Sequence, residues 1–222
     1  MEERPEGEVL KVAFDQQVFL LQEYGGISRY ICNLALELSK QRDVEAQIFA
    51  PFHFNSILED LPSKLRSGRR IWSIPKKLTR LAMIASQVSA RRQIRHFDPD
   101  IIHETYYSQT DFHPKNARRV LTVYDLIHER YPETFENSEG TILPKKIAAS
   151  RADHVICISE STRRDLIEYC GVAEDRTSVV YLGVDLGFTQ VAPVEISQGC
   201  RPFILFVGAR SGYKNFNRLL RV

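Results

Sequence analysis

Glycines and polar residues that follow apolar, strand-like segments are the parts of this sequence that could do chemistry. Four such groups are Gly25 with Gly26, residues 103–107, Asp125 with His128, and Arg210 with Lys214. In parallel α/β sheets, ligands bind beyond the carboxyl ends of the strands. An imidazole near a carboxylate can move protons or bind sugar hydroxyls, although a lone histidine is more often structural. Two cations at a helix entrance can bind a phosphate, or they can be ordinary surface residues.

The stretch "FLLQEYGGISRYICNLALEL" (residues 19–38) joins two adjacent glycines to an amphipathic helix. Glycines are expected where the backbone turns sharply or approaches another group closely. The helix is predicted to begin at Ser28, whose hydroxyl can cap it. Its N-terminal N–H groups suit an anion. About ten residues separate the preceding strand from Gly25, too many for a dinucleotide-binding fingerprint. The sequence therefore leaves a phosphate loop and a plain turn as equal alternatives.

Apolar segments and helical patterns alternate along the chain, which predicts an α/β fold with a doubly wound parallel sheet. The clearest unit is "HVICISESTRRDLIEYCGV" (154–172), a strand, a turn and a helix with Ser159 as N-cap and Gly171 as its end. Strands are also predicted over 8–14, 44–50 (ended by Pro51), 71–74, 100–107, 119–128, 178–184 and 202–209. Further helices are predicted over 77–95 and around 144–150.

Composition excludes several classes of protein. The 222 residues carry a net charge of +2, with 43% hydrophobic residues, as expected for a soluble globular chain. The acidic start "MEERPEGEVL" is unlike a secretory signal, and no apolar run approaches the ~20 residues of a membrane helix. The four cysteines are widely spaced, which predicts reduced thiols in a cytoplasmic protein and no structural zinc site.

Positive charge is concentrated in residues 64–96, which contain ten Lys/Arg and no Asp or Glu. The helix predicted within this segment interleaves apolar residues with the cations. Such a helix can lie on an anionic membrane or can simply have a solvated face. No motif supports binding to nucleic acid.

Six motifs in order resemble the family 4 glycosyltransferases of GT-B fold, and in particular their mannosyltransferase-like branch. They are "YGGISRYICNLALEL", "HETYY", "VLTVYDLIHERYPETF", "ADHVICISESTRRDLIEYCGV", "VVYLGVD" and "PFILFVGARSGYKNFNRLL". The resemblance implies a Rossmann-like acceptor-binding domain over 1–195. It also implies a linker and the start of a nucleotide-sugar-binding domain over 196–222.

The resemblance further implies a retaining enzyme that needs no metal cofactor. It would move a hexose, such as mannose, from a GDP- or UDP-linked sugar to a glycan or lipid-linked acceptor in surface polysaccharide synthesis. Gly25, Gly26, Arg210 and Lys214 would face the donor phosphates, and His128 with Asp125 would lie at the reacting carbon.

The acceptor is predicted to contact His103, Thr105 and Tyr106, which follow the residues "DII" (100–102) in the strand candidate at 100–107.

Two departures from the family pattern affect these expectations. Tyr124 stands where the family often has histidine, and the paired-glutamate motif of the second domain does not occur. The chain alone is therefore expected to be inactive, and its unpartnered last strand is expected to make it self-associate. Two alternatives are a non-catalytic acceptor-binding or membrane-docking module and an NAD-dependent oxidoreductase. The oxidoreductase is less favoured, because it needs a tight glycine turn after the first strand.

Overall fold

The computed structural model describes residues 7–71, 76–111, 114–135, 138–184, 203–208, 210 and 214–221. The strands are β1 (Leu10–Phe14), β2 (Val44–His53), β3 (Arg66–Arg70), β4 (Ile101–Glu104), β5 (Arg118–Val123), β6 (His154–Cys157) and β7 (Thr177–Val179). The α-helices are α1 (Gln17–Leu21), α2 (Gly26–Leu38), α3 (Lys76–Phe97), α4 (Ile127–Arg130), α5 (Glu139–Arg151), α6 (Glu160–Cys170) and α7 (Phe216–Leu219).

All seven strands form one parallel sheet in the order β3-β2-β1-β4-β5-β6-β7. The side chains of Val12 and Phe14 pack in the core that includes α2, whereas Ala13 packs with Ile94 of α3. Because neighbouring residues of a strand point to opposite faces, α2 and α3 cover opposite faces of β1. The predicted Rossmann-like, doubly wound sheet is confirmed. Its strand order reverses between β1 and β4, the position where such sheets bind ligands.

The strand-turn-helix unit at 154–172 is confirmed in detail. The Ser159 hydroxyl accepts a hydrogen bond from the backbone N–H of Thr162 (3.1 Å), which caps α6. Gly171 ends the helix with a left-handed φ of 67°, a conformation that favours glycine. The helix predicted over 77–95 is confirmed as α3, and α5 includes the residues predicted around 144–150.

The prediction that Pro51 ends the second strand is wrong, since β2 continues to His53. Its register with β3 shifts between Phe49 and Phe52, so Pro51 lies at a bulge, where its missing N–H is tolerated. Gly68 lies opposite this bulge with a φ of +126°, and a Cβ there would overlap the Ala50 carbonyl. The close approach of the two strands therefore requires glycine.

Three other boundaries differ from the prediction. A third strand was predicted at 71–74, and the structure has one at Arg66–Arg70. Ile71 is not part of it, and residues 72–74 lie outside the described residues. Helix α1 was not predicted, because five residues are too few to show a helical period. Helix α2 begins at Gly26 rather than at Ser28, and the Ser28 hydroxyl donates to the Gly25 carbonyl (3.1 Å) instead of capping.

The strands predicted at 100–107, 119–128 and 178–184 are shorter in the structure, and the strand predicted at 202–209 is wrong for residues 203–208. These residues form no strand, and Phe203, Ile204, Leu205 and Val207 are 67–85% exposed. A strand of this composition needs neighbours on both sides, and none pairs with it within the described residues. Residues 202 and 209 and the predicted domain boundary near residue 195 lie outside the described residues.

Three cysteines, Cys32, Cys157 and Cys170, are buried free thiols, as predicted, and Cys200 lies outside the described residues. Burial raises the pKa of the Cys32 thiol to about 12 and that of the Cys157 thiol to about 11. Within the described part of the chain, no helix has the length and apolar character needed to cross a membrane.

Candidate functional site

The carboxyl ends of β1 and β4 are joined by hydrogen bonds between Asp15 and Thr105. The Asp15 carboxylate accepts from the Thr105 backbone N–H (3.1 Å) and from the Thr105 hydroxyl (2.5 Å). The Thr105 hydroxyl oxygen in turn accepts from the backbone N–H of Val18 (3.1 Å) in α1. Both side chains are about 1% exposed. This network fixes the start of α1 at the switch point. The sequence analysis missed Asp15, although a carboxylate directly after an apolar strand could have indicated it.

His103 is a buried residue of β4 and is 4% exposed. One ring nitrogen lies 2.9 Å from the Thr122 hydroxyl, and the ring stacks on Phe14 with 5.3 Å between centroids. Burial lowers the pKa of His103 to about 4, although the negative charge of Asp15 opposes the shift. Since His103 and Thr105 both hydrogen-bond inside the protein, their geometry fits positioning roles rather than the predicted acceptor contacts.

A cavity of about 190 Å³ lies at the switch point. It is lined by Gln16, Gln17, Leu20, Leu21, Met83, Gln87, Tyr107 and Ser108. Its volume is below the ~300–1,000 Å³ typical of sites for drug-sized ligands, so it suits a group no larger than one sugar ring. Tyr106, the third predicted acceptor residue, is half-buried and contacts the Tyr107 ring (4.7 Å between centroids). Tyr106 therefore lies beside the cavity wall.

The glycine loop (residues 22–26) precedes α2 at the same edge of the sheet. Gly25 is the N-cap residue in extended backbone, and no described side chain caps this helix. Neither glycine has a left-handed φ. A Cβ at Gly26 would meet nothing within 4 Å, whereas one at Gly25 would contact the Gln22 side chain. The backbone therefore does not need glycine at position 26 for a sharp turn.

Residues that follow β2 hold the glycine loop in place. The Asn55 side-chain amide donates to the Gln22 carbonyl (2.8 Å), and the backbone N–H of Ser56 donates to the Glu23 carbonyl (2.7 Å). Arg70 of β3 adds an ion pair with the Glu23 carboxylate (3.0 Å). Because β2 ends at His53, these contacts place the loop at the carboxyl edge of the sheet.

Asp125 and His128 lie in the β5 turn (residues 124–130), which contains α4. Asp125 is exposed, and its carboxylate accepts from the backbone N–H of Ile127 (3.3 Å). The His128 ring packs on Phe135 (4.1 Å between centroids), and its Nδ1 is buried without a hydrogen-bond partner among the described residues. Asp125 therefore does not hold His128 through Nδ1.

Aromatic side chains connect the β5 turn to the rest of the edge. Tyr124 meets Tyr30 of α2 edge to face, with 5.8 Å between ring centroids. Burial raises the pKa of Tyr106, and the negative charge of Asp125 raises it further. These interactions place Asp125 near Tyr106 and the beginning of α2 near the β5 turn. The structure thus brings together the glycine loop, Tyr106 and the turn that carries Asp125 and His128.

The sequence analysis also missed a buried ion pair beneath the β5 turn. Lys145 of α5 is about 1% exposed, and its ammonium donates to the Asp125 carbonyl and to the Glu129 carboxylate, both at 2.9 Å. The ammonium also lies 5.4 Å from the centre of the Tyr107 ring. No sequence signal points to Lys145, because most lysines are exposed and Lys146 follows directly.

Arg210 and Lys214 lie in the exposed C-terminal part of the described chain. The Arg210 guanidinium lies over the Phe216 ring at 5.4 Å, and Lys214 is exposed. Their predicted meeting with Gly25 and Gly26 stays a prediction. The residues that the structure describes contain no group of three or more His, Cys, Asp or Glu side chains suited to a metal ion.

Comparison with known proteins identifies the family of this sequence. The sequence model described as "Glycosyltransferase Family 4" matches residues 24–188. No curated protein sequence matches the chain.

Solved structures share the fold at low sequence identity. A sucrose-phosphate synthase from Thermosynechococcus elongatus is 15% identical, with a TM-score of 0.53, over 80% of this chain and 49% of that protein. A glycosyltransferase from Rickettsia africae is also 15% identical, with a TM-score of 0.50, over 83% of this chain and 47% of that protein. The chain thus spans about half the length of the solved structures that it matches.

Proposed function

Because the chain belongs to glycosyltransferase family 4, we propose that it supplies the acceptor-binding half of a hexose-transferring enzyme. The observation that supports the proposal most strongly is the family match over residues 24–188. The structure adds that the glycine loop, Tyr106 and the β5 turn lie close together at the carboxyl edge of the sheet. The same match favours transfer over the oxidoreductase alternative.

In the proposed reaction, the hexose of a GDP- or UDP-linked donor is transferred with retention of its anomeric configuration. The beginning of α2 offers backbone N–H groups and a partial positive charge to the donor phosphates. Gly26 leaves room for a phosphate to approach, since a Cβ there would meet nothing within 4 Å beyond its chain neighbours and the backbone of its own helix. Arg210 and Lys214 would stabilise the leaving diphosphate.

His128 and Asp125 are the proposed groups beside the reacting sugar. The exposed Asp125 carboxylate can accept hydrogen bonds from sugar hydroxyls, and the His128 imidazole can donate or accept. The acceptor would enter the cavity at the switch point, whose three glutamine amides offer paired donors and acceptors. Mannose as the sugar, action in surface polysaccharide synthesis, a cytoplasmic location and independence from metal are further parts of this proposal.

The test is transfer of a radiolabelled hexose from UDP- or GDP-hexoses to lipid-linked acceptors. We expect no turnover by the 222-residue chain, and turnover by a chimera that adds the C-terminal half of a family 4 relative. In that chimera His128→Ala should lower the rate by ~100- to 1,000-fold, whereas His96→Ala, on the exposed surface of α3, should not. Robust turnover by the chain alone, or an equal rate for both variants, would contradict these roles.

We also propose that the exposed side of α3 docks on an anionic membrane. Leu81, Ile84 and Val88 are exposed there, and the exposed Arg92 and Arg95 follow on the same helix. Apolar residues flanked by cations suit the interface of an anionic bilayer, where each basic residue contributes ~1 kcal/mol. This surface favours a lipid-linked acceptor, because Met83 and Leu21 at the cavity are also exposed.

Vesicle flotation tests the membrane proposal separately from catalysis. The chain should float with anionic vesicles and not with neutral ones. Replacing Ile84 and Val88 by serine should reduce flotation, while the matched replacement of Val180 and Leu182, exposed apolar residues after β7, should not. Equal flotation with both kinds of vesicle would refute the proposal.

A further inference from the structure

We infer that Lys145 is a positioning residue that holds the β5 turn in the geometry the site needs. The inference rests on the proposed function, which places Asp125 and His128 at the reacting sugar. It concerns a residue of α5 that lies behind the turn and contacts no substrate. Its basis is the set of contacts that this buried cation makes.

Burying an ammonium is costly unless it is paired and hydrogen-bonded. Lys145 is about 1% exposed, and its Nζ contacts two groups of the β5 turn, the Asp125 carbonyl and the Glu129 carboxylate. It also lies over the ring of Tyr107, whose hydroxyl oxygen faces the Tyr124 backbone N–H at 3.5 Å. Lys145 therefore links the turn to the wall of the cavity.

The contact with the Asp125 carbonyl distinguishes positioning from simple charge pairing. Glu129 is almost completely buried, so Lys145 could serve merely to neutralise it. Neutralisation alone would not require a hydrogen bond to a backbone carbonyl four residues earlier. That bond fixes the peptide group at Asp125, directly before the residues that begin α4.

The β5 turn also keeps three buried polar atoms, the Tyr124 hydroxyl, His128 Nδ1 and Glu129 Oε1, that have no hydrogen-bond partner among the described residues. Such atoms are rare in native structures, and a catalytic role is one of the reasons for which they are kept. A turn that carries unpartnered groups needs support from outside itself, and Lys145 supplies it.

The experiment compares Lys145→Met with the double variant Lys145→Met/Glu129→Met in the full chain. The control is Lys146→Met, which changes the exposed neighbour on the same helix. Amide hydrogen exchange is measured at Ile127, Arg130 and Tyr131, whose N–H groups bond within the turn. The imidazole NMR signals of His128 report the ring environment.

In Lys145→Met, exchange at these three amides should accelerate at least about tenfold, and the His128 signals should shift. The double variant removes the uncompensated carboxylate and should recover thermal stability, but not the slow exchange or the His128 signals. Recovery of all three properties in the double variant would show simple charge pairing and would overturn the inference. So would unchanged exchange in both variants.

These measurements need no substrate, so their failure differs from failure of the proposed function. If the turn loosens as expected while the chimera with the C-terminal half of a family 4 relative transfers no hexose, Lys145 still positions the turn and the proposed reaction is wrong. If the single variant does not fold, the double variant alone decides, because only positioning predicts fast exchange in a stable protein.

Discussion

The glycine loop and the β5 turn lie at the same edge of the sheet, but the protein fixes them by different means. The loop is held by neutral hydrogen bonds from Asn55 and Ser56 to backbone carbonyls, with one ion pair at the surface. The turn is held by a buried ammonium and a buried carboxylate. Losing one neutral hydrogen bond lowers the free energy of unfolding only modestly. Removing one member of a buried ion pair costs more, because the other charge stays buried without a partner. The two regions should therefore differ in their tolerance of substitution.

The largest expected effect is on stability when each ion pair is broken. Lys145→Met should lower the free energy of unfolding by about 3–5 kcal/mol, because it leaves Glu129 buried and unpaired. Glu23→Gln, which breaks the partly exposed pair with Arg70, should cost about 0–1 kcal/mol. Urea denaturation of both variants measures the difference. Equal losses would remove the contrast between the two regions.

The second prediction concerns the pH dependence of stability caused by His103, which lies in the sheet between the two regions. Its pKa is about 4 in the folded chain and 6.5 in the reference state, so the unfolded chain binds the extra proton between these values. The contribution of His103 to the free energy of unfolding is therefore fully present above pH 6.5. It is lost as the pH falls to 4, and its total is about 3 kcal/mol. In His103→Gln this part of the pH dependence should disappear, while His96→Gln should keep it. An unchanged slope in His103→Gln would show that other groups dominate.

The fold was predictable because its signals are local and repeated. Continuous apolar strands such as 154–157, together with the cap at Ser159 and the glycine at 171, indicate a parallel sheet without any tertiary information. The errors occurred where tertiary contacts outweigh local preference. Pro51 is tolerated because the register with β3 shifts there, and residues 203–207 lack the neighbours that their composition requires.

The placement of the candidate residues at one edge of the sheet was predictable, but the contacts that support them were not. Asp125 and Gly25 were found because they follow strands, and strand ends meet at one edge. The burial of His103 could not be predicted, because the local sequence "DIIHE" does not indicate whether the histidine faces the core or the solvent. Lys145 and Asn55 were missed because each acts on a segment distant in sequence, 16 to 33 residues away.

A third prediction concerns the support of the glycine loop. Asn55 is fully buried, and its side chain bonds both the Gln22 carbonyl and the Leu58 N–H. Asn55→Ala should cost about 2 kcal/mol, because the buried Leu58 N–H and the partly buried Gln22 carbonyl lose their partner. Hydrogen exchange should accelerate near Gln22 while the β5 turn stays protected. Asn33→Ala, on the exposed side of α2, is the control, and equal destabilisation by both would contradict a specific clamp.

Gly26→Ala should have the smallest effect on stability, and it tests directly whether the glycine loop binds phosphate. Alanine fits this position without contact and is the better helix former, so Gly26→Ala should change stability by less than about 1 kcal/mol, in the favourable direction. If the loop receives the donor phosphates, the added methyl group stands where a phosphate must approach the helix N-terminus. Binding of inorganic pyrophosphate, followed by ³¹P NMR, should then weaken in Gly26→Ala and not in Gly183→Ala, another glycine with open space around it. Equal binding by both variants would mean that the two glycines form a plain turn, and the phosphate role would pass to other residues.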